Sequence, residues 1–337
     1  MTLMPTPRVQ HPWLRRLVVS ILVIVLFLAA AGFLYENICE ARDRRFNAMP
    51  GRLIDVDTRT MHIDCTGEGS PAVILESGLG DSYTSWRKVQ PKIAAFTRVC
   101  SYDKAGLGYS SPSPDSRTSD VIAKELHILL QAAGVPPPYI LVGHSMGGYD
   151  VRLYANLFHN EVVGMVLVDS SHPEQDHRFP GEVQDLQGSW QREAEFLEYT
   201  MPFGLPRLLG LCDENVMERA ADCNFHTARE TLAEMRAFST SASLTAAAGK
   251  LGDMPLVVLS HDPDRLMGDL SPEAARSTNE AWEKMQEELA SLSTRGTQKI
   301  VKGSGHYVQL DHPEAVVDSI HDVFNQVRAA EGPSLKP

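Results

Sequence analysis

The sequence lacks the features typical of nucleic-acid-binding and repeat proteins. It has no internal repeat, no low-complexity tract and no stripe of basic residues interleaved with aromatics. Acids outnumber bases, 43 Asp and Glu against 31 Lys and Arg, and six of the arginines lie within the first 45 residues. The remaining body is acidic enough to be repelled by nucleic acid and by anionic membrane surfaces. We therefore expect no nucleic-acid partner.

Metal-ligand spacing is missing too. His172, His177 and His261 do not form an H-x-x-x-H pattern with a carboxylate, so we expect no metal and no other cofactor. What the sequence does have is length, with 337 residues and 43% hydrophobic content. A chain of this size can bury one large core, and a single α/β domain with an insertion fits best.

A long apolar run near the N-terminus extends from Leu17 to Tyr35 and is interrupted clearly only by Ser20. Its length suits a membrane-spanning helix, for which about 20 apolar residues are needed. Arginines precede the run, whereas acids offset the arginines that follow it, so residues 1–16 should be cytoplasmic and the rest should lie outside. A linker over residues 36–50 should then lead to the catalytic body.

The alternative to an anchor is a cleaved signal peptide. The apolar run ends in Ala29-Ala30-Ala31-Gly32, small residues of the kind found at cleavage sites. The run is longer than the usual signal core of about 7–15 residues, which favours the anchor. Either interpretation exports the body, as a single-pass membrane protein or as a secreted one.

Export gives the five cysteines a possible role, since disulfides persist in oxidising compartments. Cys212 and Cys223 could clip a loop that has little core of its own. Cys65 and Cys100 fall on strands expected to be neighbours, so a second bridge depends on strand geometry. Buried free thiols are the alternative for both pairs, and Cys39 is left over.

Hydrophobic patterning predicts a sheet of alternating strands and helices. Residues 52–57 and 60–65 alternate as an antiparallel hairpin. Continuous apolar runs typical of strands buried on both faces follow at 72–75, 140–142, 162–168 and 256–259. Helical stretches lie between and after them at 121–133, 146–158 and 313–330. This alternation is typical of a doubly wound, mostly parallel α/β sheet.

Residues 172–250 break the alternation because they contain no convincing strand. They are rich in aromatic and methionine residues at amphipathic spacing and lie between two predicted strands. Such an insertion over the carboxyl edge of the sheet could act as a helical lid lining a substrate pocket. The alternative is a helical subdomain packed for stability alone.

The sharpest motif is Gly143-His144-Ser145-Met146-Gly147, a G-x-S-x-G placed between a predicted strand and a predicted helix. The tight turn would expose Ser145 at a helix N-terminus, where the dipole favours developing negative charge. A serine hydroxyl needs a base, and Gly303-Ser304-Gly305-His306 supplies one after the last predicted strand. Ser145 and His306 are therefore the candidate nucleophile and base.

Residues 51–330 resemble the α/β-hydrolase superfamily of serine esterases, lipases and peptidases. The motifs that carry the resemblance are Glu76-Ser77-Gly78-Leu79-Gly80, the stretch from Tyr102 to Ser110, the turn at Ser145, and the stretch from Ser304 to Glu314. The resemblance implies an eight-stranded sheet, with residues 51–171 and 251–330 as the core. It also implies that the N–H groups of Leu79 and Met146 form the oxyanion hole, although Ser77 stands where the family often has histidine.

The carboxylate that should orient His306 has two main candidates. Asp169 follows the strand at 162–168, a position that resembles the acid site of pancreatic-type lipases. Asp264 follows the strand at 256–259, where most of the superfamily keeps its acid, and Asp262 is a third option.

These residues predict hydrolysis of a small-molecule ester or amide through an acyl-enzyme on Ser145. A carboxylic ester is the first expectation, and an aminopeptidase of the proline-iminopeptidase kind or an acyltransferase would use the same residues. Haloalkane dehalogenase and epoxide hydrolase chemistry is disfavoured, because those relatives place Asp where this chain has Ser145. A non-catalytic surface binding protein with the same fold is the rival from another class.

Overall fold

The computed structural model describes residues 12–212, 216–265 and 269–331, so most of the predicted cytoplasmic segment 1–16 lies outside it. The chain forms an eight-stranded sheet of order β1-β2-β4-β3-β5-β6-β7-β8, in which β2 runs antiparallel to both of its neighbours, β1 and β4, and the remaining neighbours are parallel. This confirms the predicted fold. The strands are β1 Arg52–Val56, β2 Arg59–Thr66, β3 Ala72–Glu76, β4 Val99–Tyr102, β5 Tyr139–His144, β6 Val162–Val168, β7 Leu256–Ser260 and β8 Gly296–Ile300.

A long helix precedes the sheet, and further helices cover both of its faces. Those before β6 are α1 Pro12–Phe46, α2 Gln90–Ile93, α3 Ser119–Ala132 and α4 Gly147–Leu157. Those between β6 and β7 are α5 Gln175–Arg178, α6 Gly181–Thr200, α7 Leu205–Leu208, α8 Val216–Asp222 and α9 Phe225–Ala246. Those after β7 are α10 Pro272–Ala290, α11 Val308–Asp311 and α12 Pro313–Glu331. Short 3-10 turns lie at Tyr83–Trp86, His159–Glu161 and Met201–Phe203.

The core has two layers because successive residues of a strand face opposite sides of the sheet. In β5, Leu141 packs with α3 and α4 residues such as Leu126. Its neighbour Val142 packs on the other side, with α12 residues such as Ile320. The central strands are buried on both faces, which explains why their sequences are continuous apolar runs.

The inserted segment enters and leaves through neighbouring strands. β6 and β7 pair in parallel, and the described residues between them form helices only. Its longest helices, α6 and α9, pack against each other, and α9 also packs on α4, which follows the Ser145 turn. The described residues of 172–250 therefore lie over the edge of the sheet that carries Ser145, and a role of this segment as a lid remains a prediction.

The N-terminal helix is longer than expected. Residues 36–46, predicted to be part of a linker, continue α1 as helix up to Phe46. An ion pair between Arg44 and Glu40, one turn apart, supports this extension, and contacts with the inserted segment bury Glu36 and Asp43. Within the described residues, α1 alone is long and apolar enough to cross a membrane.

Both cysteine pairs considered from the sequence are joined. Cys65 and Cys100 face each other across β2 and β4, with Cα atoms 4.1 Å apart. Cys212 and Cys223 link the inserted segment to itself, and Cys39 is free. The register of β2 against β4, which the sequence did not reveal, decides the first pair.

Candidate active site

Ser145 occupies a sharp turn between β5 and α4. Its φ of 53° lies in the left-handed region, which residues other than glycine rarely enter. A Cβ added to Gly143 would come within 2.5 Å of the Gly147 carbonyl oxygen, and one added to Gly148 would clash with Ser170. The glycines of the motif are therefore needed for close packing, and the turn places the half-buried Ser145 at the carboxyl edge of the sheet.

Asp169 is the first residue after β6, the strand beside β5, and its side chain is fully buried. Its Oδ2 atom lies 2.6 Å from Nδ1 of His306. Because an ionised carboxylate can only accept, Nδ1 of His306 carries the hydrogen. In the neutral ring, Nε2 is then unprotonated and able to accept a proton.

The other two candidate acids do not reach His306 in the described part of the chain. Asp264 is 87% exposed and pairs with Lys302, and Asp262 accepts from the Gly303 N–H at 2.7 Å. The loop after β7 thus bends towards the base of the His306 loop. Asp169 is the candidate that the structure brings to His306.

Two further donors to Asp169 were missed by the sequence reasoning. His261 donates its backbone N–H to Oδ1 at 3.0 Å, its Nδ1 lies 2.9 Å from Oδ2, and Trp282 donates its indole N–H to Oδ1 at 2.8 Å. From the sequence, His261 is named only among the histidines without metal-ligand spacing. Its position directly after β7 was the available signal, because that places it at the same edge as Asp169.

These contacts decide the charge of the Asp169 cluster, which comprises Asp169, His261, Trp282 and His306. Burial by itself would raise the pKa of Asp169, but hydrogen bonds from His261 and His306 hold it far below its ordinary value. Burial lowers the pKa of His261, and Asp169 more than reverses this, so the net shift is upward. The carboxylate is therefore ionised, as the partner of a histidine base must be.

His306 is held beside the Ser145 turn. Nε2 of His144 lies 3.0 Å from the His306 carbonyl oxygen, and the two rings have centroids 4.7 Å apart. Asp311 accepts the Gly305 N–H at 2.7 Å and steadies the loop. Over the described residues no hydrogen bond joins the Ser145 hydroxyl to His306, a bond that in many enzymes tightens only in the substrate complex.

The loop after β3 passes directly against Ser145. A Cβ on Gly78 would lie 3.3 Å from that of Ser145. The backbone N–H groups of Leu79 and Met146 donate no hydrogen bond to any acceptor within residues 12–212, 216–265 and 269–331. Ser77, which replaces the family histidine, donates its hydroxyl to the Ser82 carbonyl at 2.9 Å.

Lys104 fixes the peptide that carries the Leu79 N–H. Its ammonium group donates to the Gly78 carbonyl oxygen at 2.8 Å, and this C=O belongs to the same planar peptide unit. Glu234 of α9 pairs with Lys104 at 3.0 Å and accepts the Gly80 N–H at 2.8 Å. A buried ion pair thus holds both flanks of Leu79.

More acids crowd around this pair. We define the Lys104 cluster as Lys104, Glu234, Glu76 and Asp150, all nearly inaccessible to solvent. Burial raises the pKa of Asp150 to about 7, and burial with the nearby Asp150 charge raises that of Glu76. The pKa of Lys104 is lowered by burial but raised overall by Glu234 and the other acids. Lys104 is therefore protonated and positively charged at neutral pH.

One group of possible metal ligands forms only in three dimensions. His172, Glu174 and Glu288 place their ligand atoms within 4.8 Å of one another. Arg178 binds both carboxylates, with its Nε 2.9 Å from Glu174 and a guanidinium nitrogen 2.7 Å from Glu288. One cationic side chain already pairs with both carboxylates, and the expected lack of a metal remains a prediction.

A cavity of about 640 Å³ lies between the inserted segment and the site loops. Leu197, Met201 and Leu211 line it from the inserted segment, and Asp81 and Tyr307 line it from the loops beside Ser145 and His306. The Tyr307 hydroxyl donates to Asp81 at 3.3 Å. The cavity therefore adjoins the site and is partly apolar.

Comparisons with known proteins give the family and the fold. Residues 73–319 match the model of the alpha/beta hydrolase family. An uncharacterised protein of Bacillus subtilis, YqjL, is 27% identical over 267 residues, which are 77% of this chain and 85% of YqjL. The solved structure of DBJA has a TM-score of 0.64 at 20% identity over 83% of this chain and 98% of its own. The epoxide hydrolase CorEH has a TM-score of 0.56 at 18% identity over 82% and 98%. Identities this low to solved structures show a shared fold and nothing finer.

Proposed function

The chain belongs to the alpha/beta hydrolase family, and from that membership we propose that it cleaves a carboxylic ester through an acyl-enzyme on Ser145. The observation that carries the proposal is the 2.6 Å contact between His306 and a buried, ionised Asp169 beside the strained Ser145 turn. A serine at this turn forms an ester intermediate that water can cleave. In this proposal Asp264 and Asp262 are not catalytic and belong to the loop after β7.

Acylation begins when the Ser145 oxygen attacks the carbonyl carbon of the ester. Nε2 of His306 takes the serine proton, and Asp169 stabilises the resulting imidazolium. The carbonyl oxygen becomes an anion that accepts from the N–H groups of Leu79 and Met146. The C–O bond to the alcohol then breaks, the alcohol leaves with the proton from His306, and the acyl group remains on Ser145.

Deacylation repeats these steps with water. His306 removes a proton from water, the hydroxide adds to the acyl carbon, and the same two N–H groups hold the oxyanion. Collapse breaks the bond to Ser145, which regains its proton from His306 as the free acid departs. The cycle leaves every group in its starting state and needs no cofactor.

A fluorophosphonate probe tests the nucleophile directly. The full-length protein in detergent should be labelled at Ser145, as located by mass spectrometry, and Ser145→Ala should abolish labelling and ester turnover. Ser170→Ala is the matched control, because Ser170 is a buried serine that follows Asp169 and should leave labelling intact. A protein that neither reacts nor turns over any ester would be a binding protein with a hydrolase fold.

The substrate class is tested with two series of chromogenic compounds. p-Nitrophenyl esters of rising chain length should be turned over faster than aminoacyl p-nitroanilides. Faster turnover of the anilides would indicate that the protein is an aminopeptidase and not an esterase. Transfer of the acyl group to an added alcohol in preference to water would indicate an acyltransferase.

We further propose that α1 is a retained anchor, that the body lies outside the cytoplasm, and that residues 172–250 act as a lid. The support is the unbroken helix through Ala31 and two disulfides that suit an oxidising compartment. The intact mass of the protein recovered from membranes should include residues 1–35. A mass that lacks those residues would show that α1 is a cleaved signal peptide. Protection of the body from added protease in spheroplasts would show that the body lies in the cytoplasm.

A further inference from the structure

The part of α1 from Leu17 to Leu34 is apolar, and no other segment among the described residues covers it. Its large side chains from Leu17 to Leu34 are exposed, and none of the most apolar 18-residue stretch is buried. At 1.5 Å per residue the run from Leu17 to Tyr35 is about 28 Å long, close to the thickness of a hydrocarbon core of about 30 Å. The boundary of a bilayer around α1 would therefore lie near Tyr35.

The inserted segment contacts α1 at that boundary. A Cβ on Gly32 would overlap the Phe203 carbonyl oxygen, and one on Gly204 would come within 2.7 Å of the Tyr35 ring. Gly32 lies one turn inside the apolar run. Residues 203–204 consequently lie level with the last turn that a membrane would cover.

An ion-pair network fixes this arrangement. Arg207 pairs with Glu36 at 3.0 Å and with Asp43 at 2.6 Å, and Arg219 pairs with Asp43 at 3.1 Å. Both acids are buried. The network locks α7 and α8 to the helix just beyond the apolar run, and it neutralises the acids that would otherwise face a lipid surface.

Next to Arg207 the chain exposes a dense apolar patch. Five of the nine residues from 203 to 211 are large, exposed and apolar: Phe203, Leu205, Leu208, Leu209 and Leu211. Leu208 is the most exposed at 64%. Such concentrations on a protein surface usually mark a binding or membrane-contact site.

We propose that residues 203–211 insert into the outer leaflet of the bilayer that α1 crosses, as a second membrane contact beside the cavity. Leu211 belongs both to this patch and to the cavity lining, and Met201, just before the patch, also lines the cavity. The patch and the cavity beside the site are thus continuous at Leu211, which gives an ester with an apolar chain a route from the leaflet into the cavity. The substrate class that follows, which rests on the proposed esterase function, is a membrane-dissolved acyl ester rather than a small water-soluble one.

The first test measures depth without using activity. Full-length protein carrying Cys39→Ser and Leu208→Cys is labelled with an environment-sensitive fluorophore and reconstituted into phosphatidylcholine vesicles. Zwitterionic lipid is used because the acidic body would be repelled by anionic lipid. Lipids that carry a quencher on the upper acyl chain should quench the Leu208 position.

The matched control is Leu157→Cys in the same background. Leu157 is also an exposed leucine, but it lies at the end of α4, at the edge of the sheet opposite Ser145. Its label should stay unquenched and report water. Equal quenching at both positions, or none at either, would overturn the membrane contact whether or not the protein is an esterase.

The second test separates the route from the chemistry. The double variant Leu208→Glu/Leu209→Glu in the same vesicles should lose at least about tenfold in kcat/KM for a long-chain ester dissolved in the bilayer, because charged side chains oppose insertion. Its turnover of a soluble short-chain ester and its fluorophosphonate labelling should match those of Leu157→Glu. An equal loss on both esters, or no loss on the long one, would refute the route. If the wild type hydrolyses neither ester and resists the probe, the proposed function fails, while the quenching result still decides the membrane contact.

Discussion

Two buried acidic clusters lie against the Ser145 turn, one on each side. Gly148 packs on Ser170, next to the Asp169 cluster, and Gly147 packs on Glu76, a member of the Lys104 cluster. In the first, four hydrogen bonds from three residues converge on one carboxylate and keep it ionised. In the second, several acids share one ammonium group, and the pKa values of Asp150 and Glu76 rise. The comparison suggests that the number of donors per carboxylate, rather than burial, decides which acid can serve a histidine base.

The largest effect should come from Asp169→Asn. An amide at this position favours the wrong His306 tautomer and cannot stabilise the imidazolium, so kcat should fall by about three to four orders of magnitude. Initial rates on a p-nitrophenyl ester measure it. The matched change Asp264→Asn removes an exposed acid and should alter kcat by less than about twofold. A collapse with Asp264→Asn and not with Asp169→Asn would exchange the two roles.

Lys104→Met should have the next largest effect. Loss of the ammonium group frees the Gly78 carbonyl and weakens the hold on the Leu79 N–H, so kcat should fall by about a hundredfold. KM should change little, because the oxyanion exists only after attack. Lys92→Met, which removes a half-exposed lysine, is the control. A rise in KM with unchanged kcat would mean that Lys104 shapes the pocket without supporting the oxyanion.

His261→Gln should cost less, about two- to tenfold in kcat, because His306 and Trp282 still donate to Asp169. Its effect on stability should depend on pH. The pKa of folded His261 is raised, so its contribution is complete below the unfolded value of about 6.5 and is lost as pH rises through the folded value. Urea unfolding at pH 6 and pH 9 should show a larger wild-type advantage at pH 6. An advantage that grows with pH would contradict the ion pair.

Asp150→Asn should have the smallest effect on activity at neutral pH. Folded Asp150 keeps its proton up to a pKa of about 7, whereas the unfolded side chain ionises near about 3.9. Between those values the folded state binds more protons, so this group makes the wild type less stable as pH rises. The Asp150→Asn variant lacks that loss, so its free energy of unfolding should rise relative to that of the wild type between pH 4 and pH 7. A constant difference in unfolding free energy over that range would exclude a raised pKa.

Local patterns were enough to predict several parts of this protein. The Ser145 turn could be predicted because the close packing around it requires glycines within a few residues of the serine. The mostly parallel sheet followed from apolar runs whose composition reflects burial on both faces. The His306 loop was found from its glycines and its position after the last predicted strand, and its 2.6 Å contact with Asp169 matches one of the three alternatives that the sequence left open.

Contacts between distant segments were not predictable in the same way. His261 and Trp282 reach Asp169 across 92 and 113 positions, and no periodicity records such a pairing. The sequence does not single out Lys104, because its partner Glu234 lies 130 positions away on an inserted helix. Residues 36–46 were expected to be a linker, since the arginines that pair with Glu36 and Asp43 lie more than 160 positions further on.

The sequence by itself determined the fold family, the apolar N-terminal helix and the paired candidates Ser145 and His306, since each depends on backbone sterics or on burial along a short stretch. Only the tertiary structure decided which carboxylate meets His306, which lysine holds the Leu79 peptide, and where the inserted segment meets α1. Those outcomes depend on how strand ends and helices from separate parts of the chain converge at one edge of the sheet. Charge and hydrogen-bond geometry there are set by distances of a few ångströms that no local pattern encodes.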